Sequence, residues 1–425
     1  MAKGALMEHF ARLRSQRSWT LLAVAAALAI AALAARRLLK HGSDFRIYLH
    51  AARELFDSSV DLYRDQTLFG GPYPYPHWFV LPIRAMDALF GETATILAWS
   101  LLLGCATVLL LRACWNLSRH LGPLHWSAAL VFLLLFHRFI THNLTKGQAS
   151  LLVATLVACG LDQLLRRRDR CAGFLLGVAA ASKLTPIAWI AFLAWHRRWR
   201  AAFAMLATVL VLVFVVPLPF MSFELHAQRL RDFASAMILP AMGLAPPSSA
   251  SIWTDISASV SGTFGFLLTA HPPKANETHP NIADLAPATI RFLEVAWSLT
   301  LLCIGAIGAW RAQRLREPQR LVLQAAIAML LLVLLQPLTR VYHLANILVA
   351  GAVFVTLRPA SGGPQRRHAA RLSWWIVAGL FFVVGPLRQK KILGEDLYLL
   401  FQTGLMHVAL AALLCSLALF LRPRD

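Results

Sequence analysis

Charge is what this chain is short of. Asp, Glu, Lys and Arg together make up 14% of its 425 residues, and only 20 are acidic. A soluble domain carries about 25% charged residues, so the chain is not one. Cysteine is sparse too, and Cys105, Cys114, Cys159, Cys171, Cys303 and Cys415 all lie in or beside apolar runs, with no CxxC and no His/Cys cluster. Neither a disulfide framework nor a thiolate-bound metal is implied, and the six read as small buried hydrophobes. Low-complexity linkers and internal repeats are also missing, which leaves a single membrane domain over residues 1–425.

In place of charge there is apolar surface. The chain is 58% hydrophobic with a mean hydropathy of +0.60, too much for one soluble core and the mark of an all-α polytopic membrane protein. Its 41 Lys and Arg give a net charge of +21, which on a soluble protein would point to nucleic acid. Here the cations cluster in short loops between apolar runs, the pattern that orients membrane helices. Nucleic acid is therefore not a partner; the lipid bilayer is, with anionic head groups and lipid phosphates as further attractions.

Eleven runs are candidate spans: Trp19 to Leu39, Thr93 to Leu111, His125 to Phe139, Gln148 to Leu165, Cys171 to His196, Arg200 to Phe220, Pro287 to Trp310, Leu321 to Gln336, Val341 to Leu357, Leu372 to Pro386 and Tyr398 to Leu421. The first has the length of a spanning helix, and Ala34-Ala35-Arg36-Arg37 is a poor cleavage site, so it is expected to be retained. The fifth lies between two basic clusters, Arg166-Arg167-Arg168-Asp169-Arg170 and Arg197-Arg198-Trp199-Arg200, which the positive-inside rule puts on one side. Pro186 breaks a helix and Lys183 is costly in mid-membrane. The run is therefore expected to be two short helices joined by a turn at Lys183, the floor of a cavity. That makes about twelve helices with both termini cytoplasmic; Arg36, Arg37 and Lys40 go against the rule.

The outer face then gathers the long segments, residues 42–92 and 221–286, where binding and catalysis concentrate. Phe45 to Phe56 and Glu224 to Ile238 suit helices lying along the membrane surface, and Ala250 to Ala270 is expected to dip into it.

Four motifs run in order through this framework. Asp44-Phe45 with Tyr48 and Ala51-Ala52 follows the first span, then Asp61-Leu62-Tyr63 and Tyr73-Pro74-Tyr75-Pro76. Lys146-Gly147-Gln148 opens a span. Ala172-Gly173-Phe174 leads through Ala179-Ala180-Ala181 to Lys183-Leu184-Thr185-Pro186. Pro337-Leu338-Thr339-Arg340-Val341-Tyr342-His343 comes last. This series resembles glycosyltransferase family 87, multi-spanning enzymes of the GT-C superfamily. The sequence departs from the family pattern at His77, Arg340 and Tyr342, and Ser249 to Trp253 stands where a loop motif is common. The resemblance implies a GT-C type fold and a polyprenyl-phosphate sugar donor, with mannose the most plausible hexose. It also implies a lipid or glycan acceptor, no cofactor, and a bacterial plasma membrane with the site on the periplasmic or extracellular side.

An inverting transfer needs one base and no covalent glycosyl-enzyme, so a single carboxylate suffices. Asp44 fits, and its position matches the family's proposed base; helix capping is its other chemically natural role. The departing lipid phosphate needs cations, for which Lys183, Arg340 and Lys146 are candidates, although Lys183 can also snorkel. His343 is placed to orient Asp44 or bind a sugar hydroxyl, or else it is a satisfied core histidine. Gln148, Tyr48, Tyr75 and His77 complete the substrate-facing set, while Tyr and Trp also belong at membrane interfaces. His77, His137 and His142 show no metal-ligand spacing, so no metal is expected. Arg388, Lys390 and Lys391 are candidates for an anionic lipid. The rival reading is a transporter or flippase of lipid-linked saccharides. It would place polar residues deep in many helices and show paired repeats, whereas here the polar groups collect on one face.

Overall fold

The computed structural model describes residues 2–40, 44–64, 72–123, 125–241, 244, 257–269, 282–337, 339–359, 364–387 and 390–422. It is all-α but for one antiparallel pair of two-residue strands, β1 (Arg358–Pro359) and β2 (Leu421–Arg422). The helices of the first half are α1 (Ala2–Lys40), α2 (Asp44–Arg53), α3 (Leu81–Arg119), α4 (Trp126–Lys146), α5 (Ser150–Leu165), α6 (Asp169–Ser182), α7 (Trp189–Trp195) and α8 (Trp199–Leu210). They are followed by α9 (Phe223–Phe233), α10 (Leu239–Ala241), α11 (Val260–Leu268), α12 (Pro287–Ala312), α13 (Glu317–Leu335), α14 (Leu348–Thr356), α15 (Pro364–Val384), α16 (Lys390–Leu400) and α17 (Met406–Cys415).

The apolar runs fall on helices, several of them interrupted by a 3₁₀ or π turn. Against about twelve helices expected, six helices among the described residues are long and apolar enough to cross a membrane, and four shorter apolar helices stand among them. The protein is an integral membrane protein.

The fifth run turns back, as its flanking charges required. α6 ends at Ser182, Lys183 is extended (φ −148°, ψ 125°), and a 3₁₀ turn over Thr185–Ala188 carrying Pro186 starts the return to Trp195. Its two basic flanks meet: Arg198 Nη1 lies 3.3 Å from Asp169 Oδ1 and Arg198 Nη2 lies 2.6 Å from Glu317 Oε1, while Arg167 also pairs with Glu317. Trp126, Trp195, Trp199 and Trp310, all strongly exposed, sit at this same end. Exposed tryptophans beside arginines mark a membrane interface.

Helix length sets the shape of the opposite end. α6, α5, α13 and α4, with 14, 16, 19 and 21 residues, rise about 21 to 31 Å at 1.5 Å per residue. α12, with 26 residues, rises about 39 Å. α12 therefore outreaches these four by about 8 to 18 Å by the same arithmetic. Close packing holds the short helices together, since lipid tails give apolar helices no water-driven reason to associate. At Gly173 an added Cβ would lie 2.2 Å from the Ala201 carbonyl, so only glycine lets α6 and α8 approach.

Two surface helices, α2 and α9, pack at this end. α2 carries an apolar face, with Phe45, Tyr48, Leu49, Ala51 and Ala52 buried. α9 is capped by the Ser222 hydroxyl, which accepts from the Leu225 amide. Its Arg229 is fully buried, with its guanidinium donating to the carbonyls of Glu54, Leu55, Asp57 and Val60. A buried guanidinium is tolerable only when its donors are satisfied, and here they fasten α9 to the segment after α2.

Candidate active site

The site begins with a glycine. α4 ends at Gly147 in the left-handed region (φ 67°), and a Cβ there would lie 2.8 Å from the Phe45 Cβ. Gly147 thus turns the chain and admits α2 against the turn. Trp99 secures the contact, stacking on Phe45 (5.1 Å between centroids) while its Nε1 donates to the Gly147 carbonyl at 3.0 Å. The next residue, Gln148, is thereby brought to Asp44, whose Oδ2 accepts from the Gln148 amide nitrogen.

Two tyrosines decide which way that amide points. The Tyr48 hydroxyl lies 3.0 Å from Gln148 Oε1 and 3.3 Å from the Tyr75 hydroxyl, which is itself 3.5 Å from Gln148 Oε1. Burial raises the pKa of both tyrosines above the usual range, so both stay protonated and donate. With its oxygen receiving from Tyr48, Gln148 presents its NH₂ to Asp44. Asp44 itself opens α2 as its first residue and is half-buried.

Lys183 stands beside this group. Its Nζ donates to the Ser150 hydroxyl at 3.0 Å and lies 6.0 Å from the Tyr75 ring centroid and 5.7 Å from that of Tyr342. Ser150 begins α5, two residues after Gln148, so the Gly147 turn serves Asp44 and Lys183 together. Tyr342 joins the cluster to the last motif: its ring meets that of His343 edge-on at 4.5 Å, and its carbonyl accepts from Asn143 Nδ2 at 3.0 Å. His343 is 8% exposed. The Arg340 backbone N–H donates to its Nδ1 at 3.3 Å, which leaves the ring proton on Nε2. Gln336 spans the remaining gap, with its Nε2 3.3 Å from His343 Nδ1 and its Oε1 accepting from Thr185 at 3.4 Å. Arg340 is half-buried at the start of the Val341–Ile347 turn.

Asp44, Tyr48, Tyr75, Gln148, Lys183, Arg340 and His343 therefore lie on one connected set of contacts. His77 does not join them. It is fully buried and hydrogen-bonded through Nε2 to His226 Nδ1 at 2.9 Å, part of the dock between α9 and the Tyr73–His77 element. Lys146 is exposed on the last turn of α4. Ser150, Thr185, Gln336 and Tyr342 were not anticipated. Tyr342 and Thr185 stood inside quoted motifs, whereas Ser150 and Gln336 carried no signal beyond their place at helix ends. Among the described residues no three His, Cys, Asp or Glu side chains converge to hold a metal ion. Ser249 to Trp253, Arg388 and the side chains of Lys390 and Lys391 lie outside the described residues.

The sequence pattern described as Glycosyltransferase family 87 matches residues 73–337. That span holds Tyr75, Gln148 and Lys183; Asp44, Tyr48, Arg340 and His343 flank it. No curated protein matches the chain. Among solved structures, ArnT from Cupriavidus metallidurans, crystallised bound to undecaprenyl phosphate, shares 16% identity at a TM-score of 0.44, covering 94% of this chain and 77% of that one. The Archaeoglobus fulgidus oligosaccharyltransferase in its apo form shares 12% identity at a TM-score of 0.37, covering 94% of this chain and 56% of that one.

Proposed function

This chain belongs to glycosyltransferase family 87 and is a membrane glycosyltransferase; from that premise we propose that it transfers a hexose, mannose first among candidates, from a polyprenyl-phosphate donor to a lipid or glycan hydroxyl on the outer face. The observation that carries this reading is the pairing of one carboxylate with one uncompensated cation. Asp44 is held by an amide; Lys183, among the described residues, has a serine hydroxyl as its hydrogen-bond partner. A half-buried cation in a membrane protein needs an anion, and in this reading a lipid phosphate supplies it.

In this reading the acceptor hydroxyl gives its proton to the Asp44 oxygen not engaged by Gln148 as its own oxygen attacks the anomeric carbon. The bond from that carbon to the phosphate oxygen breaks, and its electron pair leaves with the phosphate. Lys183 and Arg340 receive the charge that develops there. His343, with its proton on Nε2, offers a donor to a sugar hydroxyl. Attack from the face opposite the leaving phosphate inverts the anomeric centre.

The test is transfer from polyprenyl-phosphate-mannose to candidate acceptors by the purified protein and its Asp44→Asn variant. We expect the variant to fold and to lose transfer by about 10²- to 10⁴-fold. Equal turnover by a folded variant overturns the assignment of the base.

A further inference from the structure

A second cavity, away from the polar cluster, opens between α11, α12 and the Phe401–Leu405 turn that leads into α17. It measures about 580 Å³ and is lined by Phe264, Leu267, Trp297, Phe401, Gly404 and Val408, with His407 in its wall. The histidine does not make it polar. His407 Nδ1 donates to the Ala258 carbonyl at 3.0 Å, and its Nε2 accepts from Trp297 Nε1 at 2.8 Å. Thr263 likewise turns its hydroxyl to the Ser257 carbonyl at 3.3 Å. With those groups satisfied, the cavity presents carbon, and water gains nothing by filling it. α12 shows most of its surface outward, so the cavity faces the hydrocarbon of the bilayer.

The wall of this cavity is bonded to the cationic end of the active site. The Ala258 amide donates to the Thr339 carbonyl at 2.8 Å, the Thr339 amide donates to Ser257 Oγ at 2.8 Å, and Ser259 Oγ donates to the Pro337 carbonyl at 3.0 Å. Arg340 is the next residue. Ala258 thus touches the cavity through His407 and the site through Thr339.

We infer that this cavity binds the phosphate-proximal isoprenoid units of the donor and lets the enzyme discriminate donors by chain length. This rests on the donor reading above. A donor with its phosphate between Lys183 and Arg340 emerges beside Thr339, and the apolar surface within reach there is this groove. Each methylene removed from other surroundings into a fitted groove contributes to binding, so longer chains bind better until the groove is filled. Gly404 is the narrow point: a Cβ there would stand 3.2 Å from Leu267 Cδ1, a flexible side-chain end that can give. Val408 is 50% exposed and has room for a larger side chain.

The experiment compares wild type, Gly404→Phe and Val408→Trp in nanodiscs, with mannosyl phosphates of geranyl, geranylgeranyl and undecaprenyl chains. Wild type is expected to prefer the longer donors. Each variant should lose roughly tenfold of that preference, with KM raised most for the long donors and least for the geranyl donor, which fills only part of the groove. Variants that keep the wild-type chain-length profile overturn the groove alone, and leave an ordinary phospholipid acyl chain as its occupant. A wild type that turns over none of the three overturns the donor reading and the groove with it.

Discussion

Two cations at opposite ends of the bundle are treated in opposite ways. Arg198 sits between two carboxylates, Asp169 at 3.3 Å and Glu317 at 2.6 Å, at the end where exposed tryptophans mark an interface. Lys183 sits at the turn of the same hairpin with a serine hydroxyl and two tyrosine faces. The first has its counter-charge built into the fold, so removing it weakens the fold. The second has no carboxylate beside it among the described residues, and in the proposed reaction the donor phosphate supplies the missing charge.

The sharpest way to break this comparison is to delete each cation in turn. Lys183→Met should leave a folded protein whose transfer rate falls by about 10²- to 10³-fold, as when one charge-stabilising donor is lost. Arg198→Met should do the reverse, costing about 1–3 kcal/mol of stability for a partly exposed pair while the remaining folded enzyme keeps its turnover. Thermal unfolding beside initial rates separates the two, and a Lys183→Met enzyme of normal rate would dissolve the contrast.

Gly147→Ala is expected to affect both properties. It forces an L-residue into φ 67° and drives its Cβ toward Phe45. A stability loss of about 1–3 kcal/mol should come with slower transfer as α2 is pushed from the turn.

A smaller and more specific effect is expected from Tyr48→Phe. Without the hydroxyl, Gln148 is no longer obliged to face Asp44 with its NH₂. Transfer should fall by about tenfold at unchanged thermal stability. A Tyr48→Phe enzyme of wild-type rate would show that the tyrosine only packs.

The smallest effect belongs to the α9 dock. Burial lowers the pKa of His226 below the ordinary histidine value of about 6.5. A histidine held neutral in the fold contributes stability above that value, and the contribution is lost as pH falls through it. A proton on the His77–His226 pair would also face the buried Arg229. Hydrogen exchange at residues 54–60 should therefore quicken below about pH 6.5, and His226→Phe should weaken that dependence without removing it, because burial also pushes His77 down to about 3.

The same contrast explains what was legible in the sequence. The hairpin could be read because two arginine clusters cannot sit on opposite sides of one short run, and Lys183 because a lysine in an apolar stretch is expensive wherever it lies. Asp44 stood out for the same reason. What escaped was settled by contacts distant in sequence. Arg229 read as one more cation on a surface helix, yet it is buried on carbonyls about 170 residues away, a distance at which helical periodicity says nothing. His77 looked like part of the site because it follows Tyr75 and Pro76; its partner, 149 residues on, pulls it elsewhere. Ser150 and Gln336 are ordinary polar residues at helix ends until the fold brings Lys183, Thr185 and His343 to them.

The unequal helix lengths bear on how two greasy molecules and a sugar come together. In the proposed reaction the carrier's phosphate meets Lys183 where the hairpin turns back, at the end of a 14-residue helix too short for a full hydrocarbon core of about 30 Å. The carrier then need not be hoisted to the end of the longer α12 to react, and the acceptor has only to lower a single hydroxyl to meet it.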